Sequence, residues 1–227
     1  MMLSSVKGYF MSIFKKFTAL FVSAACLASL VSCGGKENSS SSEKAEEISV
    51  AEGEFVTNPD EPELGEYTVS SSGIKLYYSP DEYSPQLIAT LEKYFTTFAN
   101  EDYETYTQCL YPDYITEMNK FLEKDYGYDL SQSFSNQCSS LKEKAGGDFK
   151  ITRIKAEIPE EDCSQKYLET LGETFDTDFY SAVKEDCDAI HDMMFYIMAE
   201  AAGEETLLIS EFEIVFAEKD GNFYTFG

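Results

Sequence analysis

The sequence predicts an α+β domain, with N-terminal helices packed on a curved antiparallel sheet and an extra helix between strands. Three observations carry this. Apolar residues recur at helical spacing from Leu87 to Leu141. The period changes to alternation after Gly146-Gly147. The chain closes on Phe212, Ile214 and Phe216, alternating with Glu211, Glu213 and Val215, before an Asp220-Gly221-Asn222 turn. Helices first and strands last is the order of an α+β fold.

Each element has its own signal. Tyr67 and Val69, then Ile74, Leu76 and Tyr78, alternate about Ser71-Ser72-Gly73 as a short hairpin. Ser84-Pro85 supplies an N-cap and a proline at the first helical position. Leu87, Leu91, Tyr94, Phe95 and Phe98 then give a helix over 85–99. Asn100-Glu101-Asp102 breaks the chain. Tyr103, Tyr106 and Leu110 form one face of a short second helix, stopped by Pro112. Tyr114, Ile115, Met118, Phe121 and Leu122 make a third stripe ending near Gly127. Leu130, Phe134, Cys138 and Leu141 make a fourth, ended by Gly146-Gly147.

Phe149 and Ile151 share one strand face, whereas Ile154, Ala156 and Ile158 have the other parity. A bulge near Arg153 reconciles them, as in a strongly curved sheet. Tyr167, Leu168, Leu171 and Phe175 read as a helix inserted between strands. Residues 182–202 fit two readings. Val183, Cys187, Ile190, Met194, Ile197 and Ala201 suit a helix, and the unbroken run Met193 to Met198 suits a strand covered on both faces. The reading favoured is a strand near 188–200 preceded by a short helix. A last strand covers Phe223 to Phe226.

Ahead of this domain, 67–227, lie two segments of different composition. No acid precedes Glu37, and Lys15-Lys16 lead into an apolar run from Phe17 to Leu30. That is the charged and apolar plan of a secretory signal, shorter than the roughly 20 residues of a spanning helix. The run ends in Leu30-Val31-Ser32-Cys33, followed by Gly34-Gly35. These residues resemble the lipobox of a bacterial lipoprotein precursor. The resemblance implies removal of 1–32, with translation starting at Met1 or Met11, and diacylglycerol on Cys33. It also implies acylation of the new amino terminus, usually by palmitate, and a place on the extracytoplasmic face of the membrane. Each buried CH₂ of such chains contributes about 0.8 kcal/mol, and two or more chains anchor stably. Residues 33–66 then read as the lipidated cysteine and a disordered tether. Ten acids, two lysines and four consecutive serines, Ser39 to Ser42, offer too little apolar surface to offset chain ordering. A flexible chain of this length spans roughly 30 Å root-mean-square.

The domain is also similar to the NTF2-like (cystatin-like) superfamily. The similarity rests on Phe98-Ala99-Asn100-Glu101-Asp102-Tyr103 leading to Cys109-Leu110-Tyr111-Pro112. It rests also on the closing Glu218-Lys219-Asp220-Gly221-Asn222-Phe223-Tyr224. It covers about residues 85–227. It implies a cone of helices against a bent sheet, often around a pocket in which some relatives do acid/base chemistry with Asp, His and Tyr. The extra helix at 164–176 departs from the minimal pattern and is similar to NTF2-like domains of surface lipoproteins from Gram-positive bacteria.

The chemistry available is sparse. The one histidine, His191, is the candidate general base, with Asp188 or Asp192 as orienting acids if the backbone is irregular. A Tyr/Asp pair is the other acid/base option. Tyrosines crowd the first helices (Tyr94, Tyr103, Tyr106, Tyr111, Tyr114, Tyr126 and Tyr128), as core or as an interaction surface. No EF-hand loop, CxxC pair, HExxH helix, phosphate loop or nucleophile elbow occurs, so neither a metal site nor a cofactor is expected. Cys109, Cys138, Cys163 and Cys187 remain after processing. As disulfides they would pair Cys109–Cys138 and Cys163–Cys187, the partners close in sequence, and the alternative is four buried free thiols.

The chain has 227 residues and a formal charge of −25. The domain carries 12 Lys+Arg against 32 Asp+Glu, so −20 of that charge is on the folded part. Such a surface excludes non-specific binding to nucleic acid. The function expected is a lipid-anchored binding module, with the membrane as one partner and a protein or small-molecule ligand as another. An acid/base enzyme working in the cone and a structural envelope protein are the alternatives.

Overall fold

A computed structural model describes residues 53–59 and 61–227. The signal segment, Cys33 and the tether up to Glu52 lie outside the described residues.

The chain enters a seven-stranded sheet at once. Strand β1 (Val56–Thr57) pairs with β2 (Glu66–Val69), and β2 with β3 (Lys75–Tyr77) in the expected hairpin, Tyr67 opposite Tyr77. The remaining strands are β4 (Phe149–Glu157), β5 (Ala189–Ala201), β6 (Glu204–Lys219) and β7 (Asn222–Thr225). The sheet runs in sequence order from β1 to β7. Every pairing is antiparallel except β3 with β4, which is parallel. A parallel pair needs a long crossover, and four helices supply it: α1 (Pro85–Asn100), α2 (Tyr103–Gln108), α3 (Pro112–Tyr126) and α4 (Leu130–Ala145).

The helices start and stop where the sequence signals. Ser84 Oγ accepts from the Leu87 N–H at 3.2 Å, with Pro85 in the first turn. Asp102 and Asp129 cap α2 and α4 in the same way. Gly146 and Gly147 both hold positive φ, and the Gly147 N–H closes α4 on the Lys142 carbonyl at 2.8 Å.

The ambiguous stretch is a helix followed by a strand. After α5 (Ser164–Phe175), Asp178 accepts from the Ser181 N–H and caps α6 (Phe179–Asp186). The thirteen residues of β5 follow. The predicted bulge is present: the register shifts between Ile151 and Arg153, leaving Thr152 extra on β4. β6 is longer than expected. It carries two further irregularities opposite β5, and Glu211 sits there at φ 51°. Its first half was missed because Glu204 to Leu207 are all exposed and show no alternation.

The core lies between this curved sheet and the crossover helices. Met193, Phe195, Ile197 and Ala199 line one face of β5 and are fully buried. Phe95 of α1 meets Phe195 at 4.6 Å. Tyr94, Phe98, Tyr106 and Phe134 pack behind it.

The domain expected from composition starts at residue 67. The residues just before it are ordered, with β1 and a 3₁₀ turn over Pro62–Leu64. Two contacts outside the reach of composition hold them. The Arg153 guanidinium donates to both Glu61 carboxylate oxygens at 2.6 and 2.7 Å, and Phe55 packs edge-on to Tyr78 at 5.2 Å.

Gly172 shows how tightly α5 and α6 meet. A Cβ there would lie 2.7 Å from the Thr177 carbonyl oxygen and 3.3 Å from the Phe179 nitrogen. Both are backbone atoms and cannot swing aside. Gly172→Ala should therefore destabilise the domain by about 1–2 kcal/mol, because overpacking outweighs the helix propensity gained. A urea midpoint equal to or above wild type would contradict this packing.

Candidate functional site

The predicted site residues fall in different places. His191 lies near the start of β5, diagonal to Glu218 across the β5–β6 ladder, and its Nε2 is 3.1 Å from Glu218 Oε2. Its ring meets the edge of Phe223 at 5.6 Å. Neither expected orienting acid reaches it. Asp188 Oδ2 accepts from the Asp220 N–H at 2.9 Å, and Asp192 Oδ2 from the Cys163 N–H at 2.6 Å. Strand alternation explains the second case, since Asp192 leaves the sheet on the side opposite His191.

A Tyr/Asp pair does exist. The Tyr111 hydroxyl, at the entry to α3, donates to Asp186 Oδ2 at 2.5 Å. Lys219 Nζ donates to the same carboxylate at 2.6 and 2.7 Å. Lys219, then Tyr111, hold the Asp186 carboxyl below its usual range. Burial, and then the Asp186 carboxylate, push the Tyr111 hydroxyl far up, so it remains a neutral donor. The trio ties the start of α3, the end of α6 and the end of β6 together. Tyr94, Tyr106 and Tyr114 are pushed up by burial as well. The Tyr167 hydroxyl donates to the Phe226 carbonyl at 3.1 Å. Tyr94, Tyr106 and Tyr114 are core, and Tyr167 is half-buried.

All four cysteines of the domain are free. The expected pairs Cys109–Cys138 and Cys163–Cys187 are not formed. Proximity in sequence fails because the thiols have separate surroundings. Cys138 is on the buried face of α4, and Cys109 is buried where α2 ends against β7. Cys187 lies beside Tyr111, and Cys163 joins two carboxylates.

That last grouping is the site sequence reasoning missed. Asp192 pairs with Val215 and Met194 with Glu213, so Asp192 and Glu213 are diagonal neighbours on one face of the sheet. Cys163, in the N-cap position of α5, comes down on them. One ligand atom from each of Cys163, Asp192 and Glu213 lies within 4.8 Å of the others. Asp192 Oδ1 is sealed from solvent and has no hydrogen-bond partner. The Tyr83 hydroxyl, donating to the Glu157 carbonyl at 3.0 Å and that of Asp192 at 3.3 Å, pins the strand ends beneath. Burial first, and then Glu213, raise both the Asp192 carboxyl and the Cys163 thiol. No motif announces the group, because its members come from three elements and are joined only by strand register.

A second feature is a shallow groove of about 520 Å³ at the turn between α5 and α6, lined by Glu169, Glu173, Asp176 and Asp178 with Phe179 and Tyr180.

Compared with family models, with curated proteins and with solved structures, the chain matches none. Among the described residues no helix is long and apolar enough to cross a membrane.

The raised Asp192 carboxyl has a consequence for stability. Its folded value lies above the unfolded one, so stability falls as pH rises from the ordinary carboxylate value through the folded value. Asp192→Asn keeps an oxygen acceptor for the Cys163 N–H and removes that cost. In the presence of a chelator, the variant should gain in urea midpoint over wild type as pH rises from about 3.9 to 7. A gap independent of pH would show that the carboxyl is not the titrating group.

Proposed function

We propose that the chain is a lipid-anchored, extracytoplasmic binding module. Acyl chains on Cys33 hold it to the membrane, and an acidic tether carries an NTF2-like domain whose surface does the binding. The observation that carries the binding reading is the packing of the interior. Tyr94, Phe98, Tyr106 and Phe134 are buried and form one connected cluster at centroid distances of 4.6–5.6 Å. This apolar packing supports a surface, rather than the aromatic cluster itself, as the part that meets a partner. The four-helix crossover and the bulged strands β4 to β6 support the cone reading of the fold.

The anchor reading rests on Leu30-Val31-Ser32-Cys33 at the end of a charged and apolar leader. The partner it favours is cationic, since the domain's charge of −20 attracts positive surfaces and repels anionic ones.

Metabolic labelling with a fatty acid, followed by fractionation, tests the anchor. Wild-type chain should carry label and sediment with membranes. Cys33→Ala should lose the label and appear in the medium or as precursor still bearing residues 1–32. A labelled, membrane-bound Cys33→Ala protein would overturn the proposal.

A further inference from the structure

The acids and the thiol at the start of α5 ask for a cation. Three side chains with metal-binding atoms converge there from three elements: Cys163 before α5, Asp192 on β5 and Glu213 on β6. Their ligand atoms all lie within 4.8 Å of one another. Ligands that share an ion at 2.0–2.3 Å in tetrahedral geometry stand about 3.3–3.8 Å apart, so modest closure brings this set onto one centre. The second observation is independent of that spacing. Asp192, one of the three, has a carboxylate oxygen, Oδ1, that is buried without a hydrogen-bond partner. A buried carboxylate oxygen left unpaired keeps its desolvation cost with no partner to offset it. Besides burial, the charges of Glu213, Asp192 and Glu161 bear on Cys163, with Lys166 opposing them.

We infer that Cys163, Asp192 and Glu213 form a three-ligand site for a divalent transition-metal ion of the zinc class. One thiolate with two carboxylates suits zinc better than calcium or magnesium, which take oxygen ligands alone. Three protein ligands leave a fourth tetrahedral position, open to water or to a donor atom from a partner. The supports are already fixed. The Cys163 N–H holds Asp192 Oδ2 at 2.6 Å, leaving Oδ1 for the ion, and the Tyr83 hydroxyl holds the strand backbone beneath. Binding deprotonates the thiol, so it releases a proton. The ion would fasten the β4–α5 connection to β5 and β6. This inference is independent of whether Cys33 is lipidated.

The test uses the full chain, purified through chelator and titrated with Co²⁺ alone and then with Zn²⁺. Wild type should take up one Co²⁺ with thiolate-to-cobalt charge-transfer absorption in the near ultraviolet, and Zn²⁺ should displace it. Cys163→Ser should abolish that band, whereas Cys187→Ser, whose thiol lies elsewhere, should retain it. Glu213→Gln, at an exposed position, should weaken binding at least about tenfold with an unchanged circular dichroism spectrum. Folded wild type without the band, a band that survives Cys163→Ser, or wild-type affinity in Glu213→Gln would each overturn the site.

Discussion

Met193, Phe195, Ile197 and Ala199 lie in a row on one face of β5, each fully buried, and covering that row dictates what surrounds it. Each large apolar side chain so placed contributes roughly 1.5–3 kcal/mol. The strand's backbone is satisfied on both edges, by β4 and by β6. Only its face needs a partner, and α1 supplies one through Phe95. The aromatics of α1 need cover in their turn, which Tyr106 of α2 and Phe134 of α4 provide. A strand of thirteen residues would leave this helical layer behind if the sheet were flat. The extra residue Thr152 and the irregularities of β6 bend the sheet back over it.

The same alternation commits the other face. Once Met193 points to the core, Asp192 and Met194 cannot, and register sets Glu213 diagonal to Asp192. Two like charges so placed work against each other. Burying one of them beneath the entry to α5 adds to that cost. Packing alone gives no reason for this arrangement, since an apolar residue at 192 would serve the sheet better. Local rules are broken in folded proteins chiefly where a site is built.

Much of the fold could be read from the chain, because its signals are local. The caps at Ser84, Asp102 and Asp129, the glycine stop at 146–147 and the alternation about Phe216 each depend on a few neighbouring residues. The bulge near Arg153 was legible as a change of parity. What could not be read depends on contacts distant in sequence. Residues 53–66 look like a tether by composition, yet Glu61 meets Arg153 across 92 residues. Cys163 and Asp192 are joined by a hydrogen bond spanning 29 residues, and Glu213 reaches them through register alone. Cysteine spacing suggested disulfides because it carries no information about which wall each thiol faces.

Two aspartates show what decides the chemistry of this acidic surface. Asp186 and Asp192 are the same residue type, each accepting a short hydrogen bond. Lys219 stands on Asp186, and its carboxyl is held below the usual range. Asp192 has an N–H on one oxygen and nothing on the other, and burial raises it. Two of the domain's cations are placed as braces between acids: Arg153 bridges Glu61 and Glu205, and Lys142 bridges Glu101 and Asp148. With 12 cations for 32 acids, such braces cannot reach every crowded position. A half-buried acid cluster that is backed by fixed hydrogen bonds and holds one sealed, unpartnered carboxylate oxygen is therefore where a cation from outside the chain gains most. The ion pairs of Arg153 and Lys142 thus use the scaffold's positive charges within the fold and leave it a surplus of negative charge.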